Sequence, residues 1–155
     1  MKKAFLFPGQ GSQFIGMGQE LASQFKVAKD VFLEVDEALG EKLSVLMFRG
    51  DIEELTLTKN AQPAIMAVSI AILRVMLSNG LDLKTIDLLA GHSLGEYSAL
   101  CASGVVSLRD TAKVLRKRGI AMQKAVSEGK GSMVAVLGLT SDVVNEFIIT
   151  SKCDN

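Results

Sequence analysis

The sequence predicts an α/β fold in which helices cross over between the strands of a parallel sheet. Three observations predict it. Residues 4–7 are a short, continuous apolar run of strand length, and residues 86–90, apolar but for Asp87, make a second segment that reads as a buried strand. Longer stretches with helical spacing separate them, as the connections of a parallel sheet require. Glycine, proline or asparagine punctuates most junctions.

Each element follows from its residues. The first strand stops at Pro8-Gly9-Gln10-Gly11, which reads as a loop. Residues 16–25 and 27–39 read as helices, the second ended by Gly40. Residues 43–48 and 51–55 read as two short helices. A strong helix runs to residue 77 from a start at 60–63, with Pro63 near its first turn, where the ring is pre-set for helical φ and costs no needed donor. Asn79-Gly80 ends it, and the second strand at 86–90 runs straight into Gly91. Helix resumes over 94–102 and closes at Ser103-Gly104. The longest helix is expected over 107–126. Ser107 and Asp110 there have capping-box spacing, and Leu108, Ala112, Leu115, Met122 and Val126 make one apolar stripe.

The loop at 128–131 is the best boundary, dividing the chain into residues 1–128 and 129–155. A strand over 132–137 and a helix over 141–151 are expected beyond it. One strand and one helix cannot bury both their faces. The second part is therefore expected to be the opening of a subdomain in a polypeptide cut short.

Composition excludes several functions. At 155 residues, 48% hydrophobic and 22% charged, the chain is of ordinary globular make-up and one domain long. Seventeen basic residues balance seventeen acidic ones, so the formal net charge is zero. That gives neither the basic excess of a nucleic-acid binder nor an electrostatic reason to sit on an anionic membrane. The apolar run after Lys2-Lys3 ends at Pro8, short of the roughly 7–15 residues of an export signal. Residues 64–73 are too few for the about 20 that span a bilayer. A cytoplasmic protein is expected. Cys101 and Cys153 lack metal-ligand spacing and read as reduced thiols, Cys101 as a small buried hydrophobe. Met17, Met66, Met76 and Met122 read as core. His92 is the single histidine, so no multi-histidine metal site exists, and no metal or cofactor is expected.

Chemistry concentrates at Gly91-His92-Ser93-Leu94-Gly95, a G-x-S-x-G sequence with a strand before it and a helix after it. On such a nucleophile elbow the serine has strained backbone angles, and chain passes so close that only glycine fits on either side. The turn lifts the hydroxyl clear and places the helix N-terminus near it. The amide of Leu94 then points to where an oxyanion would form. A second donor should come from the loop after the first strand, Pro8 to Gln13, the only early glycine-rich loop that follows a strand. Neither G-x-G-x-x-G nor a G-K-[ST] ending makes that loop a phosphate cradle.

Four motifs together are more specific than the elbow alone. Phe7-Pro8-Gly9-Gln10-Gly11-Ser12-Gln13, Gln62-Pro63-Ala64, Gly91 to Leu100, and Arg118-Gly119 with Met122-Gln123 occur in the order and spacing of the malonyl-CoA:acyl carrier protein transacylases, which the chain resembles. The resemblance covers nearly all of the chain but only the N-terminal half of a full-length member. It implies an α/β-hydrolase-like part over 1–128 and the start of a ferredoxin-like part over 129–155. It implies that Ser93 takes malonyl from malonyl-CoA as an ester and passes it to the phosphopantetheine thiol of acyl carrier protein, in fatty-acid biosynthesis. The backbone amides of Gln10 and Leu94 would form the oxyanion hole. Arg118 would hold the free malonyl carboxylate as a bidentate pair. Helical geometry alone admits Arg116 and Arg118 alike; only the resemblance selects Arg118. Gln62 would line the cleft or serve the helix start.

A serine needs a base, and the family's is a histidine supplied from well downstream, which this sequence lacks. Adjacent residues on a sharp elbow project in different directions, so His92 is read as lining the site or bracing the turn. The chain is accordingly expected to be an inactive fragment of the enzyme. The rival readings are a serine hydrolase of esterase or patatin type, an acyltransferase module of a polyketide synthase, and a dead fragment that only binds carrier protein or coenzyme A. The loop at 7–13 is unlike that of the hydrolases, and a chain opening at Met1 directly into a strand speaks for a free-standing enzyme.

Overall fold

The computed structural model describes residues 2–125 and 136–151, and the chain divides into two compact units, residues 1–125 and 126–155. In the first unit β1 (Ala4–Phe7) and β2 (Leu88–Gly91) pair in parallel, Ala4 opposite Leu88 and Phe7 opposite Gly91. Five helices make the crossover between them: α1 (Gln19–Gln24), α2 (Lys26–Leu39), α3 (Leu43–Arg49), α4 (Ile52–Thr56) and α5 (Thr58–Ser78). After β2 come α6 (Leu94–Ala102) and α7 (Leu108–Ala125). In the second unit the described element is α8 (Ser141–Thr150).

The core is organised around α5. Eleven of its residues are buried, and a helix apolar nearly all round belongs inside a protein. It packs against α2, α6 and α7. By length and a mean hydropathy of 1.6 it would also qualify to cross a membrane, yet 61% of that window is buried within the unit. The core reading fits it better. α2 buries Ala28, Val31, Phe32 and Val35, a single helical stripe, and α7 buries Leu108, Ala112 and Leu115. The one buried acid of this core, Asp36, accepts from the Ser44 amide (2.9 Å) and hydroxyl (2.7 Å), which ties the end of α2 to the start of α3. Ser107 caps α7 as expected, its Oγ accepting from the Asp110 amide, but the Asp110 carboxylate accepts from the Ser107 hydroxyl and not from the Ser107 amide, so only half of the expected capping box forms.

Several expectations need correction. α1 begins at Gln19 rather than 16, because Gly16 and Gly18 both adopt left-handed backbone (φ 93° and 79°) that a helix cannot contain. α5 begins at Thr58, so Pro63 is its sixth residue and not near the first turn; its missing N–H leaves the carbonyl of Lys59 without the usual i+4 donor. β2 starts two residues later than expected, since Leu83–Thr85 form a 3-10 turn that Asp82 caps. Neither strand is buried on both faces: Leu6 is 77% exposed and Leu88 56%. They share one face by the register of the pairing, and Phe7 on the other face is buried. Met17 and Met66 are core, but Met76 and Met122 are exposed. The boundary loop 128–131, Cys153, Val126 and most of the strand expected over 132–137 lie outside the described residues.

One contact sets how closely α7 approaches α5. A Cβ built on Gly119 would lie 2.6 Å from the Lys59 Cα and 2.6 Å from the Thr58 carbonyl oxygen, both main-chain atoms that cannot swing aside. At an open helical site Gly→Ala gains up to about 1 kcal/mol. Here overpacking, about 1–3 kcal/mol, should reverse the sign. Gly119→Ala is expected to lower stability in urea unfolding; a stabilised variant would show that the two backbones do not touch at this crossing.

Candidate active site

The elbow is built from main chain. Ser93 sits between β2 and α6 with φ 54° and ψ −110°, the one non-glycine residue with positive φ among the described residues. A Cβ on Gly91 would lie 2.0 Å from the Gly95 carbonyl group, and one on Gly95 would lie 2.3 Å from the Phe7 carbonyl oxygen. Both glycines are therefore required by backbone passing backbone. Ser93 occupies the N-cap position of α6, where a serine hydroxyl ordinarily accepts from an amide of the first turn. It makes no such bond. Its side chain is exposed, and its Oγ is directed to another partner.

That partner is Arg118. One terminal nitrogen donates to Ser93 Oγ at 3.1 Å, and the other donates to Gln62 Oε1 at 2.7 Å. The guanidinium carbon lies 5.6 Å from the centre of the Tyr97 ring, in cation–π range. Three elements thus converge on one guanidinium: α5 through Gln62, α6 through Tyr97, and the elbow itself. Arg116 goes elsewhere. It hydrogen-bonds the buried Asn60 side chain and ion-pairs with Glu41, and burial pulls its guanidinium down from its ordinary value. Helical spacing admitted either arginine, and the structure brings only Arg118 to the serine.

The loop after β1 lies beside the elbow because Phe7 pairs with Gly91 at the end of the sheet. The His92 amide donates to the Phe7 carbonyl at 3.1 Å, and the imidazole packs on Gly9, where a Cβ would come within 2.4 Å of Nδ1. No hydrogen bond joins the His92 ring to Ser93 among the described residues. Gln10 stands in this loop with its side chain donating to Thr58 Oγ1 at 3.3 Å, at the first residue of α5. Leu94 opens α6, so its amide has no acceptor within the helix. Gln62 is 1% exposed and does not face an open cleft; its Nε2 donates to Met122 Sδ at 3.2 Å. Gln123 accepts from the Lys59 amide at 3.1 Å, a second tie between α7 and the start of α5.

Tyr97 was not among the expected site residues. Its signal was available, since it lies four residues after Ser93 and so one helical turn further along the same face. Cys101 is half-buried on α6, and burial pushes its thiol up, opposed by a hydrogen bond with Thr111. It is a poor nucleophile in that setting. Among the described residues no group of three or more His, Cys, Asp or Glu side chains is placed to hold a metal ion.

The arrangement can present an exposed hydroxyl to an electrophile and a fixed cation to a nearby anion. The acyl transferase domain family matches residues 4–150. A malonyl CoA-acyl carrier protein transacylase of Bacillus subtilis is 54% identical over 151 residues, which are 97% of this chain and 46% of that protein. The crystal structure of an acyl-carrier-protein-S-malonyltransferase from Bartonella henselae superposes with a TM-score of 0.92 at 57% identity, covering 98% of this chain and 49% of that one. A chain of the structure of a type II PKS acyl-carrier protein in complex with its malonyl-transacylase matches with a TM-score of 0.89 at 41% identity, over 97% of this chain and 48% of that chain. The chain spans about half the length of the curated relatives it matches.

Backbone strain at Ser93 is measurable. A non-glycine residue in this region costs about 1–3 kcal/mol, and glycine adopts it freely at an entropic cost of about 0.5–1 kcal/mol. Ser93→Gly should be more stable than Ser93→Ala by about 1 kcal/mol in denaturant unfolding, although both lose the bond from Arg118. The reverse order would mean that the turn is not strained.

Proposed function

Because the chain belongs to the acyl transferase domain family, we propose that it carries the Ser93 half of a malonyl transfer from malonyl-CoA to the phosphopantetheine thiol of acyl carrier protein, in fatty-acid synthesis. Ser93 Oγ attacks the thioester carbonyl as its proton passes to a base. The amides of Leu94 and Gln10 receive the negative charge of the tetrahedral intermediate. Its collapse breaks the C–S bond, and coenzyme A leaves as a thiol with the proton returned by the base. The malonyl ester on Ser93 is then attacked by the pantetheine thiol, and the same steps in reverse restore the serine.

The observation that carries this reading is the bond from Arg118 to Ser93 Oγ. A guanidinium that reaches the nucleophile also reaches a carboxylate one methylene beyond the ester carbonyl. It matches that carboxylate by two parallel N–H···O bonds. Acetyl offers it nothing. The names of the relatives, malonyl transacylases and malonyltransferases, support the same donor. The chemistry asks for a nucleophile, oxyanion donors, a cation and a base, and for no metal or cofactor. In this reading residues 1–128 belong to an α/β-hydrolase-like part and residues 129–155 open a ferredoxin-like part, and the protein works in the cytoplasm.

No imidazole or carboxylate is hydrogen-bonded to Ser93 among the described residues, and His92 is the only histidine of the 155. Assayed as this chain, the protein should therefore show little turnover, and full family-like rates would overturn that view of the base. Incubation with malonyl-CoA should still leave a slowly formed malonyl adduct on Ser93, visible by intact mass and relieved by pantetheine. Release to water instead would mark a hydrolase. In the complete enzyme Arg118→Ala should weaken the binding and use of malonyl-CoA by about 10- to 100-fold, the worth of a charged hydrogen-bonded pair, and improve relative use of acetyl-CoA. Equal loss with both donors would remove the carboxylate role.

A further inference from the structure

Gln62 is a polar side chain in an apolar place. It lies on the central helix α5, 1% exposed, and both ends of its amide are used. Nε2 donates to Met122 Sδ at 3.2 Å, which turns Oε1 toward Arg118, where it accepts at 2.7 Å. A buried amide left without partners costs about 1–3 kcal/mol, so these two bonds lock the amide in one orientation. The same bonds lock Arg118. With one terminal nitrogen on Gln62 and the guanidinium carbon over the Tyr97 ring, the second terminal nitrogen is left 3.1 Å from Ser93 Oγ with little freedom to withdraw.

We propose that Gln62 is a positioning residue that sets how far Arg118 stands from Ser93, so that the site selects the length of the acyl chain as well as its charge. The inference rests on the malonyl reading above. One methylene separates the thioester carbonyl of malonyl from its free carboxylate, and succinyl has two. The extra carbon adds about 1.5 Å of chain. A freely swinging arginine would retreat to meet the longer acid. One held by a buried amide cannot, and a fixed pocket discriminates a single methylene by about 10- to 200-fold. Gln62 touches neither Ser93 nor the acyl group in this scheme; it acts through Arg118.

Binding tests this without requiring turnover. Affinities of malonyl-CoA, succinyl-CoA and acetyl-CoA would be measured by calorimetry, alongside the Arg118 guanidinium NMR lines, for the wild-type chain, Gln62→Met and Gln62→Glu. Methionine keeps the volume and removes the acceptor. Wild type is expected to favour malonyl over succinyl by at least about tenfold, with Arg118 lines resolved by restricted rotation. In Gln62→Met the preference should shrink to within about threefold and the lines should collapse, while the melting curve stays cooperative. Gln62→Glu still holds the guanidinium but neutralises it, so the lines stay resolved while malonyl affinity falls to that of acetyl. A folded Gln62→Met with an unchanged malonyl-to-succinyl ratio sinks the role of Gln62 and leaves the malonyl reading standing. If Gln62→Met does not fold, the Glu variant decides, and undiminished malonyl affinity there overturns the proposal. A wild-type chain that binds malonyl-CoA no better than acetyl-CoA sinks both.

Discussion

Everything at the candidate site depends on one carbonyl group, that of Phe7. It accepts the His92 amide, which carries the parallel ladder one step past Gly91. It is also the wall against which Gly95 sits, at a distance that leaves no room for a side chain. The end of β1 is thereby held against both the turn and the first residues of α6, main chain on main chain. Such a contact has no rotamers to relax. It fixes Ser93 relative to the loop that follows β1, and the strain recorded in the Ser93 backbone is what that closeness costs. A hydroxyl on a relaxed N-cap would fold back onto the helix amides; on this turn it stands clear of them.

Behind the elbow a second close approach does comparable work. α5 and α7 meet at Gly119, and two rungs cross between them: Asn60 with Arg116, and Gln62 with Arg118. Residues two apart on a helix do not share a face, so the two arginines diverge. Arg116 is drawn into the packing and answered by Glu41 on the α2–α3 connection. Arg118 is drawn toward the serine. The first rung fixes the register that the second uses. Exposed ion pairs such as Lys26–Asp30 contribute little by comparison, since solvent screens them.

Much of this was legible in the sequence because the signals were local. The elbow needs a strand, five residues and a helix, all contiguous, and the strand and helix on either side distinguish its two glycines from those of a plain turn. The Ser107 cap of α7, the Gly40 stop of α2 and the bounds of α6 were legible for the same reason. What was not legible depended on contacts across the chain. The early start of α5 follows from the Asn60 side chain, which donates to the Glu54 carbonyl and carboxylate and joins α4 to α5 with no loop between. The choice between Arg116 and Arg118 depends on which amide of α5 each one meets. Burial of the strands was overestimated because a continuous apolar run says that both faces are apolar, not that both are covered by the described residues. Gln62 was read as a cleft or helix-start residue; only its burial and its two partners reveal that it faces the arginine.

The contact between Arg118 and Ser93 does not compete with activation of the serine. A hydroxyl has one hydrogen to give and two lone pairs to receive. Arg118 occupies one lone pair and leaves the hydrogen free for a base, and a guanidinium cannot itself take that proton, because it carries only donors and no acceptor. The base must then approach from a side not taken by Gln62, Tyr97 or the elbow backbone. Placing the hydroxyl, aiming the helix amides and fixing the cation are all done by packing within residues 1–125. Proton removal is the separate requirement, and the charge selectivity proposed for the site does not depend on it. In the proposed reading, recognition of the acyl group and the chemistry on it are thus separable, since one rests on α5 and α7 and the other on a base.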